Sequence, residues 1–203
     1  MKKTIVKSAF ITFAVAVAAL FLTLIVLTFA MPKAMGGFYE SLGFNGVALS
    51  CKQKTYENSG DFNDLASLID YADFVDNDRV LAYYGFDFLE NENFGKYCEE
   101  KGGTGIKSQD YYPYIVFRAG QKYGKTDKVG EFSVKLTSSY TKTSPLYSAI
   151  SLALTGNDTA LAKAVVDEYD KNGSEIIDEL GSLNDDIDTL RLISGGANNI
   201  TEG

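Results

Sequence analysis

The sequence contains no histidine and no tryptophan among its 203 residues, and it has only two cysteines and three prolines. Histidine is the side chain that most often serves as a general base near neutral pH and as a ligand for transition metals. Its absence excludes Ser-His-Asp and Cys-His catalysis. Two cysteines are too few ligands for a structural zinc site, which takes four. The composition therefore predicts neither a metal nor another cofactor.

Basic residues are scarce beyond residue 33. Residues 1–33 hold four of the 19 basic side chains and none of the 27 acidic ones, which leaves a net charge of −12 on the rest of the chain. Because an acidic surface repels the phosphate backbone, this charge argues against a nucleic-acid partner. A protein partner with a basic or neutral surface is favoured instead.

A long apolar run is present near the N-terminus. Residues 8–32, "SAFITFAVAVAALFLTLIVLTFAMP", contain no charged residue, and a helix of about 20 apolar residues is enough to cross a bilayer. The run predicts a transmembrane anchor over residues 8–32. The alternative is a signal peptide cleaved near Ala30, which would make the protein secreted. The run exceeds the about 7–15 apolar residues of a typical signal peptide, which favours the anchor.

The lysines that flank this run predict its orientation. Lys2, Lys3 and Lys7 precede it and only Lys33 follows closely, so residues 1–7 are expected in the cytoplasm and the acidic domain outside it. Outside the cytoplasm the only two cysteines, Cys51 and Cys98, have conditions that permit a disulfide. Two buried free thiols are the alternative, because spacing alone does not bring the two Cα atoms together.

The remaining chain is divided into a linker over 33–37, a helical domain over 38–194 and a flexible tail over 195–203. Apolar residues recur at threes and fours, which predicts an all-α domain of antiparallel helical hairpins. The clearest hairpin starts at Ser144-Pro145, turns at "TGND" and continues from a cap at Asp158 to Asn172. A last helix is expected from Ser174 to about Ile193.

The apolar pattern of residues 129–140 fits two kinds of secondary structure. Val129, Phe132, Leu136 and Tyr140 are spaced as on a helix, whereas Phe132, Val134 and Leu136 alternate as in a strand. We expect a helix because the neighbouring segments are helical, and a short β element near 129–140 stays open.

Two short segments share a spacing. "YESLGFNG" at 39–46 and "LAYYGFDF" at 81–88 place two large apolar residues three apart before a glycine. The spacing resembles the first-helix pattern of tetratricopeptide repeats, here carried by Tyr39, Leu42 and Gly43 and by Leu81, Tyr84 and Gly85. The resemblance implies stacked helical hairpins and serves as an analogy for architecture only.

The stretch from Asp70 to Phe94 alternates acidic and aromatic residues. A calcium site would need ligands converging from one tight loop with a glycine and a closing glutamate, and Asp76-Asn77-Asp78 lacks both. We interpret the aspartates as helix caps and a solvated helix face. The residues expected to meet a partner are the turn-borne acids and a tyrosine cluster, namely Asp76, Asp78, Glu90, Glu92, Tyr111, Tyr112 and Tyr114.

The sequence thus indicates a membrane-anchored scaffold or accessory subunit that binds a protein at the cell surface, and not an enzyme. Two alternatives stay open. One is a hydrolase of cell-wall or glycan bonds that uses a carboxylate pair such as Asp87 and Glu90. The other is a sensor of small ligands. No oligomeric state follows from the sequence.

Overall fold

A computed structural model describes residues 2–102, 109–140, 143–172 and 183–196. Every regular element in these ranges is a helix, which confirms the all-α class. In chain order the helices are α1 Lys2–Ala30, α2 Pro32–Ser41, α3 Asn45–Ser59, α4 Phe62–Phe74, α5 Asp78–Glu90, α6 Phe94–Gly102, α7 Tyr111–Lys122, α8 Thr126–Tyr140, α9 Ser144–Gly156, α10 Thr159–Asn172 and α11 Asn184–Gly196. The chain forms two compact units, and the boundary lies between Tyr71 and Ala72, inside α4.

Helix α1 of the first unit contains one stretch, Phe10–Ala30, that is long and apolar enough to cross a membrane. None of these 21 residues is buried by the rest of the chain. The sequence pattern explains this, because the stretch is apolar on all sides and offers no polar face to water.

A single non-helical residue, Met31, separates helix α2 from α1 and forms the α1–α2 break. Met31 adopts φ −134° and ψ 58°, and Pro32 starts the new helix in the first turn, where a missing N–H costs nothing. Residues 33–37, expected to be a linker, are therefore helical. Gly36 fits because α2 packs on α3, where a Cβ at residue 36 would lie 3.3 Å from the Cβ of Cys51.

The second unit is built by helices that pack on near neighbours in the sequence. Helix α5 packs on α7, α7 on α8 and α9, and α10 on α8, α9 and α11. Its core is rich in aromatic rings: the ring of Phe88 lies 5.1 Å from those of both Phe94 and Tyr112, in edge-to-face geometry. Such pairs add to the stabilisation that comes from burying the rings.

The ambiguous segment 129–140 lies within helix α8. Phe132, Ser133, Val134 and Leu136 are all buried, because α8 packs on α7, α9 and α10 and thus buries more than one side. This wide buried surface produced the strand-like alternation in the sequence. At Gly130 the backbones approach so closely that a Cβ would lie 2.6 Å from the carbonyl oxygen of Ala164 on α10.

The predicted hairpin of α9 and α10 is confirmed in its helices and its caps. Pro145 lies in the first turn of α9, and Asn157 closes that helix in the left-handed region with φ 45°. The Asp158 carboxylate accepts the backbone N–H of Leu161 at 3.0 Å and so caps α10, as an N-cap aspartate does.

The last predicted helix overlaps α11, which has Leu183, Ile187 and Leu190 buried at or beside it. The part of this prediction over 174–182 lies outside the described residues. So does the predicted tail beyond residue 196.

The two segments that share a spacing have different local structures. Gly43 follows the end of α2 with φ 75°. Gly85 instead lies inside α5, where a Cβ would approach Val116 Cγ2 to 2.5 Å. The first glycine is needed for a turn and the second for close packing, so the tetratricopeptide-like stacking stays an analogy.

Candidate functional site

The aspartates of the acidic stretch border the turn between α4 and α5. Asp76 adopts a left-handed conformation with φ 52°, and the Asn77 side chain accepts the N–H of Val80 at 3.0 Å. Asn77 is thus the N-cap of α5, and Asp78 occupies the first turn. A carboxylate is stabilised there by the positive end of the helix dipole. The interpretation of "DND" as turn and cap agrees with this geometry.

Two cations on α7 bind Asp78. Arg118 Nη2 lies 3.2 Å from Asp78 Oδ1, and Lys122 Nζ lies 2.7 Å from Asp78 Oδ2. The two cations are four residues apart, so they share one face of α7. The hydrogen bond from Lys122, aided by Arg118, holds the pKa of Asp78 below its ordinary value although burial opposes this shift.

A tyrosine on the same helix binds a second aspartate. The hydroxyl of Tyr111 donates to the carboxylate of Asp73, with its oxygen 2.9 and 3.0 Å from the two carboxylate oxygens. Burial, followed by the hydrogen bond to Asp73, raises the pKa of Tyr111 to about 12. We call this group, Asp73, Asp78, Tyr111, Arg118 and Lys122, the α5–α7 charge cluster.

The charge cluster is poorly suited to proton transfer. An efficient general acid or base has a pKa near the working pH, whereas the pKa of Asp78 is lowered and that of Tyr111 is about 12. At neutral pH the two groups therefore keep their charge states, and their hydrogen bonds join α7 to the start of α5 and the end of α4.

The four acids expected at a partner surface do not form one continuous edge. Asp78 and Glu90 are at opposite ends of the 13-residue helix α5, which separates them by about 18 Å along its axis. Both are bound within the chain, Glu90 by Lys135 Nζ at 2.6 Å. Asp76 and Glu92 are exposed. The Glu90 side chain is also exposed, at 58%, whereas that of Asp78 is 15% exposed, and partner binding by these acids stays a prediction.

The three tyrosines that were expected at a partner surface also differ in their exposure. Tyr112 is fully buried, packed against the rings of Phe88 and Phe94, so its assignment to a partner surface was wrong. Its place follows from helical periodicity, because Tyr112, Ile115 and Val116 share the buried face of α7. Tyr111 is partly buried and Tyr114 is exposed.

Cys51 and Cys98 are both buried, and no disulfide joins them in this structure. Burial raises the pKa of the Cys51 thiol, which Lys54 opposes, so this thiol is less reactive than a free cysteine at neutral pH. A disulfide between the two under oxidising conditions stays a prediction. Within the described ranges, no three Cys, Asp or Glu side chains are grouped so that they could hold a metal ion.

A cleft of about 600 Å³ lies beside the α1–α2 break in the first unit. Lys33 Nζ lies 2.8 Å from Asp64 Oδ1, and Ser59 donates to Asp64 Oδ2 at 2.8 Å. The bond from Lys33 lowers the pKa of Asp64 against the effect of burial. The sequence alone does not indicate this ion pair, because its partners are 31 residues apart and no motif joins them.

A groove of about 680 Å³ runs between α8 and α10 in the second unit. Its charged lining comprises Asp127, Glu131, Lys135, Glu168 and Lys171. Lys171 lies 3.6 Å from Glu168, so cations and carboxylates alternate here. The groove depends on the close approach of α8 and α10, which sequence periodicity does not report.

The chain matches no protein-family model, no curated protein and no solved structure.

Proposed function

We propose that this is a single-pass membrane protein, anchored through α1, whose helical domain binds a protein partner outside the cytoplasm as a scaffold or accessory subunit. The observation that carries the proposal is the uncharged stretch Phe10–Ala30, which the rest of the chain leaves uncovered. Exposed to water, such a surface drives aggregation, whereas in lipid it is stable. The lysines before it support a cytoplasmic N-terminus.

The partner surface proposed is centred on Tyr83 of α5. This side chain is 67% exposed, and its ring is held by Lys125 Nζ at 5.1 Å from the ring centroid and by the ring of Tyr84 at 5.3 Å. A held aromatic ring loses little conformational entropy on binding, and tyrosine is enriched at the centre of protein interfaces. The acids Asp76 and Glu92 would favour a partner that carries basic residues.

Membrane anchoring is tested by fractionation of cells that express the full chain. We expect the intact chain in the membrane fraction, resistant to alkaline extraction, with the helical domain accessible to protease only from outside. A soluble product shortened near Ala30 would instead support the cleaved signal peptide.

Partner binding is tested by proximity labelling in intact cells, followed by capture with the wild type and with Tyr83→Ala. We expect Tyr83→Ala to lose labelled proteins that the wild type recovers. Tyr147→Ala is the matched control, because Tyr147 on α9 is 57% exposed. Repeated capture of the same proteins by both variants, or of none by the wild type, contradicts the proposed surface.

The second candidate function is a hydrolase that uses carboxylates, with its site in the groove between α8 and α10. Asp127, Glu131 and Glu168 line one groove, and glycoside hydrolysis uses two carboxyl groups across such a groove. The test is hydrolysis of a panel of glycans by the full chain. Activity that Glu168→Gln abolishes would favour this candidate over the scaffold.

A further inference from the structure

Four large apolar side chains are exposed together where α2 meets α3. Phe38 and Leu42 are four residues apart and so share one face at the end of α2, while Phe44 and Val47 lie at the start of α3. The ring of Tyr39 joins the two sides, with its centroid 5.6 Å from that of Phe38 and 6.4 Å from that of Phe44. We call Phe38, Leu42, Phe44 and Val47 the α2–α3 apolar tip.

Contacts with α1 hold this hairpin beside the last turns of the apolar stretch. The hydroxyls of Tyr39 and Thr28 are 3.0 Å apart. Eleven residues of continuous helix would separate their Cα atoms by about 16 Å, more than the two side chains can bridge, so α2 bends away from the axis of α1 at Met31. Lys54 of α3 lies 4.2 Å from the ring centroid of Phe29.

The hairpin carries little charge where it faces outward. Between Lys33 and Lys52 the only charged residue is Glu40, and Lys52 Nζ lies 3.1 Å from its carboxylate. Transfer of the tip into a less polar layer therefore leaves no unpaired charge behind. Lys54, whose Nζ lies 4.2 Å from the ring centroid of Phe29 at the end of α1, is placed to reach lipid headgroups, as lysines at membrane interfaces do.

We infer that the α2–α3 apolar tip is immersed in the interfacial layer of the membrane that α1 spans. The inference rests on the proposed anchor and adds a second contact to it. The occupant is lipid because the hairpin is held beside the end of the apolar stretch, where the Tyr39 hydroxyl lies 3.0 Å from that of Thr28 and Lys54 Nζ lies 4.2 Å from the ring centroid of Phe29. Apolar side chains on a short hairpin bind this layer by burying their surface among headgroups and acyl chains.

The absence of tryptophan allows a direct test, because one introduced tryptophan reports a single position. The full chain is reconstituted into phosphatidylcholine vesicles as three variants: Phe44→Trp in the tip, Phe21→Trp in the apolar stretch and Tyr147→Trp in the second unit. The parent residues are 56%, 61% and 57% exposed, so the three sites are matched in exposure. Each variant is titrated with aqueous iodide and measured in vesicles that contain brominated lipid.

We expect Phe44→Trp to emit at shorter wavelength than Tyr147→Trp, to resist iodide and to lose most of its emission in brominated lipid. Quenching of Phe44→Trp by iodide to the same extent as Tyr147→Trp, with Phe21→Trp quenched by brominated lipid, overturns the inference and leaves the anchor intact. Protection of Phe44→Trp from both quenchers would place a protein or a second copy on the tip and also overturns it. Failure of brominated lipid to quench Phe21→Trp overturns the anchor and the inference together.

Discussion

Large apolar side chains are exposed at the α2–α3 turn and buried between α5 and α7, although the two regions use the same residue types. Phe44 is 56% exposed, whereas Phe88 is fully buried among Phe94, Tyr97 and Tyr112. The difference lies in what surrounds them. Helices α5, α6 and α7 pack so that their apolar faces meet, while the tip follows a helix that has no polar face. The residue type therefore does not decide burial, whereas the packing of neighbouring helices does.

The strongest test of this contrast is the truncation of one ring in each region. We expect Phe88→Ala to lower the free energy of unfolding by about 3–5 kcal/mol, because it opens a cavity in a packed core. Phe44→Ala should change it by less than about 0.5 kcal/mol in detergent. Urea unfolding of the full chain, followed by near-ultraviolet circular dichroism of the tyrosines, measures both. Equal losses would mean that the tip is also part of a core.

A second test compares two glycines. In Gly130→Ala the new Cβ would lie 2.6 Å from the carbonyl oxygen of Ala164, so α8 and α10 must separate, at a cost of about 1–3 kcal/mol. Gly37→Ala is the control, because no atom lies within 4 Å of a Cβ there and alanine favours a helix by about 0.5–1 kcal/mol. Thermal unfolding should show a lower midpoint for the first variant and an equal or higher one for the second. A neutral Gly130→Ala would refute the close approach of α8 and α10.

The charge cluster gives a smaller effect that depends on pH. We expect Asp78→Asn to cost about 1 kcal/mol at neutral pH, because its cations are partly exposed. Since the folded-state pKa of Asp78 is lowered, its contribution is present above the ordinary aspartate pKa of about 4 and is lost as the pH falls through the lowered value. The difference between wild type and variant, measured by urea unfolding at several pH values, should begin to shrink below about pH 4 and close once the pH is below the lowered pKa of Asp78. A constant difference would contradict the ion pairs, and exposed Glu92→Gln is the control at pH 7.

The smallest effect is expected at Tyr111. Tyr111→Phe removes the hydrogen bond to Asp73, at a cost of about 0.5–1 kcal/mol. Because the folded-state pKa of Tyr111 is raised to about 12, this contribution is present below the unfolded pKa of about 10 and is lost as the pH rises toward 12. Because burial also raises the pKa of Tyr71, an absorbance titration is compared between the two proteins, and Tyr111→Phe should lack one ionisation near pH 12 that the wild type has. Its presence in both variants would assign the late ionisation to another tyrosine, and Tyr114→Phe is the matched control.

Local signals in the sequence were enough to predict the α9–α10 hairpin and its caps. Proline at residue 145 and aspartate at residue 158 act within one turn of the chain, so the α9–α10 hairpin could be predicted. The linker predicted over residues 33–37 is helical instead, and the small residue Gly36 in it allows α2 to pack on α3.

The candidate site was harder to predict, because its contacts join distant residues. Asp78 binds cations 40 and 44 residues away, and no local pattern reports such pairs. The burial of Tyr112 could be predicted from the helical spacing of Tyr112, Ile115 and Val116. The number of tyrosines in this segment favoured a binding surface instead.

Three glycines at helix contacts also bear on how this chain can diverge. At Gly85, Gly120 and Gly130 an added Cβ would lie within 3.0 Å of a neighbouring helix, whereas exposed positions accept most substitutions. Over evolutionary time the surface can change almost completely while these three positions stay small. A distant relative would then be recognised by small residues spaced 35 and 10 apart within helices, a signature that overall identity does not capture.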